Sequence, residues 1–144
     1  MEKLEQLSRR QVDALRAVYR LERPARGASL GGVATALAIR PPTALDHLSA
    51  LEDLGLVDRR RGKSHLTARG LACLKDYERH HRVAETLFGH LGLTPEATCR
   101  AAREVDLALS HRTVERICRA EGHPLECPHG APIPPCSSRE VRRS

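Results

Sequence analysis

The chain has 144 residues, of which 40% are hydrophobic and only 2% aromatic, and it carries a net charge of +6. That length allows one compact domain or two small ones, and a core of Leu, Val, Ile and Ala favours helices; no apolar run approaches the ~20 residues of a membrane span. The opening Met-Glu-Lys-Leu-Glu-Gln has no apolar signal core, and five cysteines, an odd number, argue against a disulfide framework, so a cytoplasmic protein free of the membrane is expected.

Only three of the 24 basic residues are lysine, and such a basic balance expects an anionic partner such as nucleic acid. The first helix is expected over 4–22, where Val12, Leu15, Val18 and Tyr19 keep helical spacing and Pro24 ends the run. Ser29 is the expected N-cap of a short helix over 30–38 with Leu30, Val33, Ala34 and Leu37 as its apolar stripe. Pro41 and Pro42 punctuate the chain, and Pro42 suits the first turn of a helix over 43–54. Leu45, Leu48, Leu51 and Leu54 are expected to point inward from that helix, and Gly55 to close it.

Residues 56–67 predict two short strands around a turn at Arg61-Gly62-Lys63, with Thr67 capping the helix that follows from Ala68 to about His80. Helix, helix, proline-marked turn, helix and basic wing is the order of a winged helix-turn-helix. The helix over 43–54 then enters the major groove, with Arg40, Pro42, Thr43, Asp46 and His47 at or beside its N-terminal end. Arg59, Arg60, Arg61 and Lys63 on the wing are expected to meet phosphates or a minor groove; in isolation, the same basic run reads as a solvated turn.

From residue 78 the character changes to three helices, over 78–91, 95–108 and 110–121. On the first of them His81 and Glu85 lie four residues apart and share a face, whereas His80 lies about 100° from His81 and is expected to face solvent. On the second, Cys99, Arg103 and Asp106 follow i, i+4, i+7. Imidazole, carboxylate and thiolate from two helices suit a transition metal, although His81–Glu85 also reads as an ordinary helix-face pair and Cys99 as a small apolar residue. The apolar faces exceed what three short helices hide alone, so a second copy of the chain is the expected partner. The proline-rich segment 123–136 cannot be helical. Its Cys127, His129 and Cys136 form a weak zinc pattern, and a turn that packs Ile133 is the plainer reading. Residues 137–144 read as a flexible basic tail.

Pro42-Thr43, Leu-Glu-Asp-Leu-Gly-Leu-Val at 51–57, Leu-Thr-Ala-Arg-Gly at 66–70, His81-Arg82-Val83-Ala84-Glu85, Leu109-Ser110 and Cys-Pro-His-Gly-Ala-Pro-Ile-Pro at 127–134 occur in one order. With them the sequence resembles the diphtheria-toxin-repressor family of iron- and manganese-dependent transcriptional repressors over about 8–135. The resemblance implies a mainly α protein: a winged helix-turn-helix over 1–77 and a helical metal-binding and dimerisation domain over 78–136. It leaves no room for the SH3-like domain of some members.

The resemblance also implies two metal sites. One takes His81, Glu85 and Cys99, which Cys127 or His129 could complete; the other takes Asp13 and a motif that here reads Arg103-Glu104-Val105-Asp106-Leu107. Leucine cannot ligate, and a guanidinium repels a cation, so the second site is expected to hold an Asp13–Arg103–Asp106 ion pair in place of metal. The thiolate favours Fe(II) or Zn(II) over Mn(II). The expected function is a homodimeric, metal-dependent repressor of metal homeostasis genes that reads palindromic double-stranded DNA operators. It would have no small-molecule substrate and no enzymatic activity. Two alternatives are a thiol or iron–sulfur switch on the same DNA reader, and a dimerising module that no longer senses metal.

Overall fold

In a computed structural model the described residues are 2–135; Cys136 and the basic tail 137–144 fall outside them. The chain divides into two compact units, one mainly of Gln6–Leu74 and one of the residues from Lys75 onward together with Lys3–Glu5. A short α1 (Glu2–Glu5) precedes the first unit's main helices, and among the described residues no helix is long and apolar enough to cross a membrane.

Ser8 breaks the single helix expected over 4–22. Its Oγ accepts from Gln11 N at 3.2 Å while Ser8 N donates to Gln11 Oε1 at 2.9 Å. This capping box starts α2 (Arg9–Leu21), which buries Val12, Ala14, Leu15, Ala17 and Val18. Tyr19, expected on the apolar stripe, is 51% exposed. The pair β1 (Ala28–Ser29) leads into α3 (Leu30–Leu37), where Ser29 Oγ accepts from Gly32 N at 3.0 Å, the expected cap.

Helix α4 (Pro41–Asp53) starts two residues earlier than the 43–54 expected, with both prolines in its first turn, where their missing N–H groups cost nothing. Its inward face is Ala44, Leu48 and Leu51, and Leu45, expected inward, is exposed. Gly55 follows in the left-handed region at φ +74°. The wing is β2 (Val57–Arg60) and β3 (Lys63–Leu66), antiparallel with Val57 opposite Leu66 and Arg60 opposite Lys63. The two-residue β1 adds to β3, giving the order β1-β3-β2. Glu22 Oε2 accepts from Leu66 N at 2.9 Å and so pins the wing's return strand to the end of α2. Ala17, Val18, Ala28, Val33, Ala34, Ala44 and Leu48 form the core of this unit.

Thr67 Oγ1 accepts from Gly70 N at 3.0 Å and caps α5 (Ala68–His90), one continuous helix where the sequence suggested two. A Cβ on Gly70 would stand 2.0 Å from Leu56 O, a backbone atom that cannot swing aside. Gly70→Ala is therefore expected to destabilise the winged unit by at least about 2–3 kcal/mol through forced backbone displacement. Chemical denaturation would check this, and an unchanged midpoint would contradict it.

The second unit takes α5 from Lys75, then α6 (Pro95–Val105, capped by Thr94) and α7 (His111–Ala120, capped by Ser110). Its proline-rich return loop doubles back through an isolated bridge between Glu126 and Pro132. Within the bend, Cys127 N donates to Ala131 O at 2.9 Å and Gly130 N to Cys127 O at 2.8 Å. Ile133 drops into a core of Val83, Val114 and Cys118, as the plain reading of this segment expected. The same turn also puts His129 against Glu85.

Candidate metal centre

Tyr77, His81 and Glu85 occupy successive turns of α5 at four-residue spacing, so their side chains line one face. His81 is the hinge of the site, because its two ring nitrogens meet different partners. Nε2 lies 2.5 Å from Glu85 Oε1 and 3.6 Å from Cys99 Sγ on α6. Nδ1 lies 2.9 Å from Asp106 Oδ2, at the end of α6. The same carboxylate oxygen accepts from Tyr77 Oη at 2.9 Å, and Asp106 is wholly buried.

Glu85 is buried as well, and it serves two groups with its two oxygens. Oε1 faces His81, while Oε2 is 2.9 Å from His129 Nδ1 on the return loop. Two sets of candidate ligand atoms result, each within 4.8 Å of one another: His81, Glu85 and Cys99, and Glu85, Cys127 and His129.

The electrostatics follow from this packing. Burial alone would lower the His81 pKa, but hydrogen bonds to Asp106, Glu85 and Cys99, with the nearby Glu85 charge, raise it to about 9. For Glu85, burial pushes the carboxyl up, yet His81 and His129 together hold it below its usual value.

The donor set suits a borderline transition metal. Zinc–nitrogen and zinc–sulfur bonds of about 2.05 and 2.3 Å in a tetrahedron put N and S about 3.5 Å apart, close to the 3.6 Å between His81 Nε2 and Cys99 Sγ. The His81–Glu85 contact of 2.5 Å is a hydrogen bond that has to open by roughly 1 Å to admit an ion.

The remaining expected residues fall as follows. Asp13 sits on α2 in the first unit, 3.9 Å from Arg16. Arg103 is exposed on α6, and Asp106, expected beside it in an ion pair, accepts at Oδ2 from Tyr77 Oη and lies 2.9 Å from His81 Nδ1. His80 corrects the expectation that it faces solvent. It is 3% exposed, its ring stacks on His111 of α7, and burial with Arg79 and His111 close by lowers its pKa. α7 covers that side of α5, so the buried face there is wider than one stripe. Tyr77 joins the site without a metal-ligating side chain to announce it, and its spacing of four from His81 is the sequence signal that places it on the shared face.

In the winged unit, Arg40, Pro42 and Asp46 are exposed at the start of α4, while Thr43 and His47 are half-buried. On the wing Arg60, Arg61 and Lys63 are exposed and Arg59 is half-buried; Arg60 pairs with Asp58 at 2.7 Å, and the Arg59 backbone N–H donates to Glu52.

Residues 67–135 match a family model described as iron dependent repressor, metal binding and dimerisation domain. A hypothetical protein of Sulfolobus solfataricus is similar in structure, with a TM-score of 0.83 and 28% identity over 89% of this chain and 99% of that one. ScaR with bound zinc is similar at a TM-score of 0.76 and 28% identity, over 86% of this chain and 59% of its own. A manganese-dependent transcriptional repressor in complex with manganese gives 0.72 and 29%, over 86% and 58%. The chain thus spans nearly the whole of the first and less than two thirds of each repressor. No curated protein sequence matches the chain.

Proposed function

We propose that the chain, whose residues 67–135 match the metal binding and dimerisation domain of the iron-dependent repressors, is a metal-dependent transcriptional repressor that acts on DNA as a homodimer. The observation that carries this reading is the Glu85 carboxylate, which faces His81 and Cys99 with one side and Cys127 and His129 with the other. A divalent transition metal bound there supplies a cross-link between α5, α6 and the return loop. His81 contributes Nε2, Glu85 contributes charge to both ligand groups, and Cys99 and Cys127 contribute thiolates. Those thiolates favour zinc or iron over manganese. Asp13 and Asp106 lie outside this ligand set.

Two copies then present two α4 helices to an inverted repeat. Arg40, Pro42, Thr43, Asp46 and His47 address the major groove, and Arg59, Arg60, Arg61 and Lys63 address the backbone. Tying the second unit together favours the DNA-competent population, which is all that a co-repressor metal needs to do.

The test is selection of duplexes from a random-sequence pool with Zn(II), Fe(II) or Mn(II), or with chelator, for wild type and His81→Ala. Enriched inverted repeats with zinc or iron, absent with chelator and with His81→Ala, are the expected outcome. Equal enrichment with and without chelator would overturn the metal-dependent reading, and manganese acting best would overturn the order of metals.

A further inference from the structure

We propose that Asp106 is a positioning residue: together with Tyr77 it holds the Nδ1–H of His81, which fixes the imidazole with Nε2 aimed at the metal-ligand group. This rests on the metal reading above, and it gives the wholly buried carboxylate a role outside the ligand set. The two nitrogens of an imidazole lie on diverging edges of the ring, so one partner cannot occupy both. In this chain they are divided between two environments. Asp106 Oδ2 stands 2.9 Å from Nδ1, while Glu85 Oε1 and Cys99 Sγ stand 2.5 Å and 3.6 Å from Nε2.

The support behind Asp106 is itself built. The Tyr77 hydroxyl donates to the same Oδ2 at 2.9 Å, and the Tyr77 ring stacks on the His81 ring with centroids 6.0 Å apart at 25°. The Asp106 backbone N–H donates to Ala102 O at 2.8 Å, which anchors the carboxylate to the last turn of α6. A ligand histidine that donates its other N–H to a carboxylate has its tautomer and orientation set and its basicity raised, and loss of that partner costs about 10- to 100-fold in metal affinity. Asp106 therefore acts on a metal through His81 rather than by touching it.

Two measurements test the assignment. The first leaves the chain unmutated: in 15N-labelled, zinc-loaded protein, long-range proton–nitrogen correlation should show His81 with Nδ1 protonated, its proton slow to exchange, and Nε2 metal-bound. A metal-bound Nδ1 would overturn the proposal. The second is zinc affinity in Asp106→Asn, expected about 10- to 100-fold weaker than wild type, with Tyr77→Phe shifted less in the same direction. Unchanged affinity in a folded Asp106→Asn would overturn it as well. Should wild type bind no zinc at all, the metal reading falls and this proposal falls with it. Binding by wild type with the reverse tautomer removes the positioning role alone.

Discussion

Glu85→Gln is expected to weaken zinc binding by a factor of roughly 10²–10⁴, more than Cys99→Ser or Cys127→Ser alone. The substitution keeps the shape of the side chain and removes its charge. Both candidate ligand groups contain this one carboxylate, so a single change strips each of its acid. The carboxylate is also buried between two histidines, and removing one partner from a buried charged arrangement costs about 3–5 kcal/mol, which is the quoted factor at about 1.4 kcal/mol per tenfold. Part of the loss is returned, because His81 without Glu85 surrenders its proton more readily. A competition titration with a chromophoric chelator measures the ratio. A Glu85→Gln affinity equal to that of either cysteine variant would mean that the two groups do not share the acid in the bound state.

Zinc affinity is expected to rise about tenfold per pH unit from pH 6 to 8 through His81 alone, and to level off near pH 9. The sign follows from the metal-free state. With its pKa raised to about 9, His81 is an imidazolium at neutral pH, and Nε2 has to release its proton before it can ligate. Metal and proton thus compete for one nitrogen. Stability of the metal-free chain should run the opposite way. The folded pKa lies above the unfolded value of about 6.5, so the contribution, on the order of 3 kcal/mol, is fully present below pH 6.5 and is lost as pH rises through 9. Titrations at pH 6, 7 and 8, with denaturant midpoints of the metal-free chain beside them, check both slopes. A flat affinity profile would mean that His81 is already neutral, or not a ligand.

The caps at Ser29 and Thr67 were legible in the sequence because a hydroxyl before an apolar run has a local partner three residues on. The sequence places Pro42 in the first turn of the helix over 43–54, and the structure extends that turn back to Pro41. Leu45, Leu48, Leu51 and Leu54 are spaced by three, which drifts about 60° per step on a helix, so the buried face runs through Ala44, Leu48 and Leu51 and leaves Leu45 outside. The continuity of α5 was hidden by a change in residue character near His80, though no Gly or Pro interrupts the chain there. The meeting of His81, Glu85 and Cys99 was foreseen from helical spacing and family resemblance. What spacing cannot encode is which edge of an imidazole meets which neighbour. The division of His81 between Asp106 and the Glu85–Cys99 pair, with the hold Tyr77 has on it, depends on how α6 ends against α5, a tertiary fact.

The return loop has a consequence for the chain as a polymer. Glu85 and His129 are 44 residues apart in sequence, so joining them through a metal closes a long circuit that includes α6 and α7. A covalent link of that span would remove conformational entropy from the unfolded chain equivalent to about 4 kcal/mol. Coordination at the same residues would act in the same way on the unfolded chain, and would reinforce a closure that the Glu85–His129 contact at 2.9 Å and the packing of Ile133 already make without an ion.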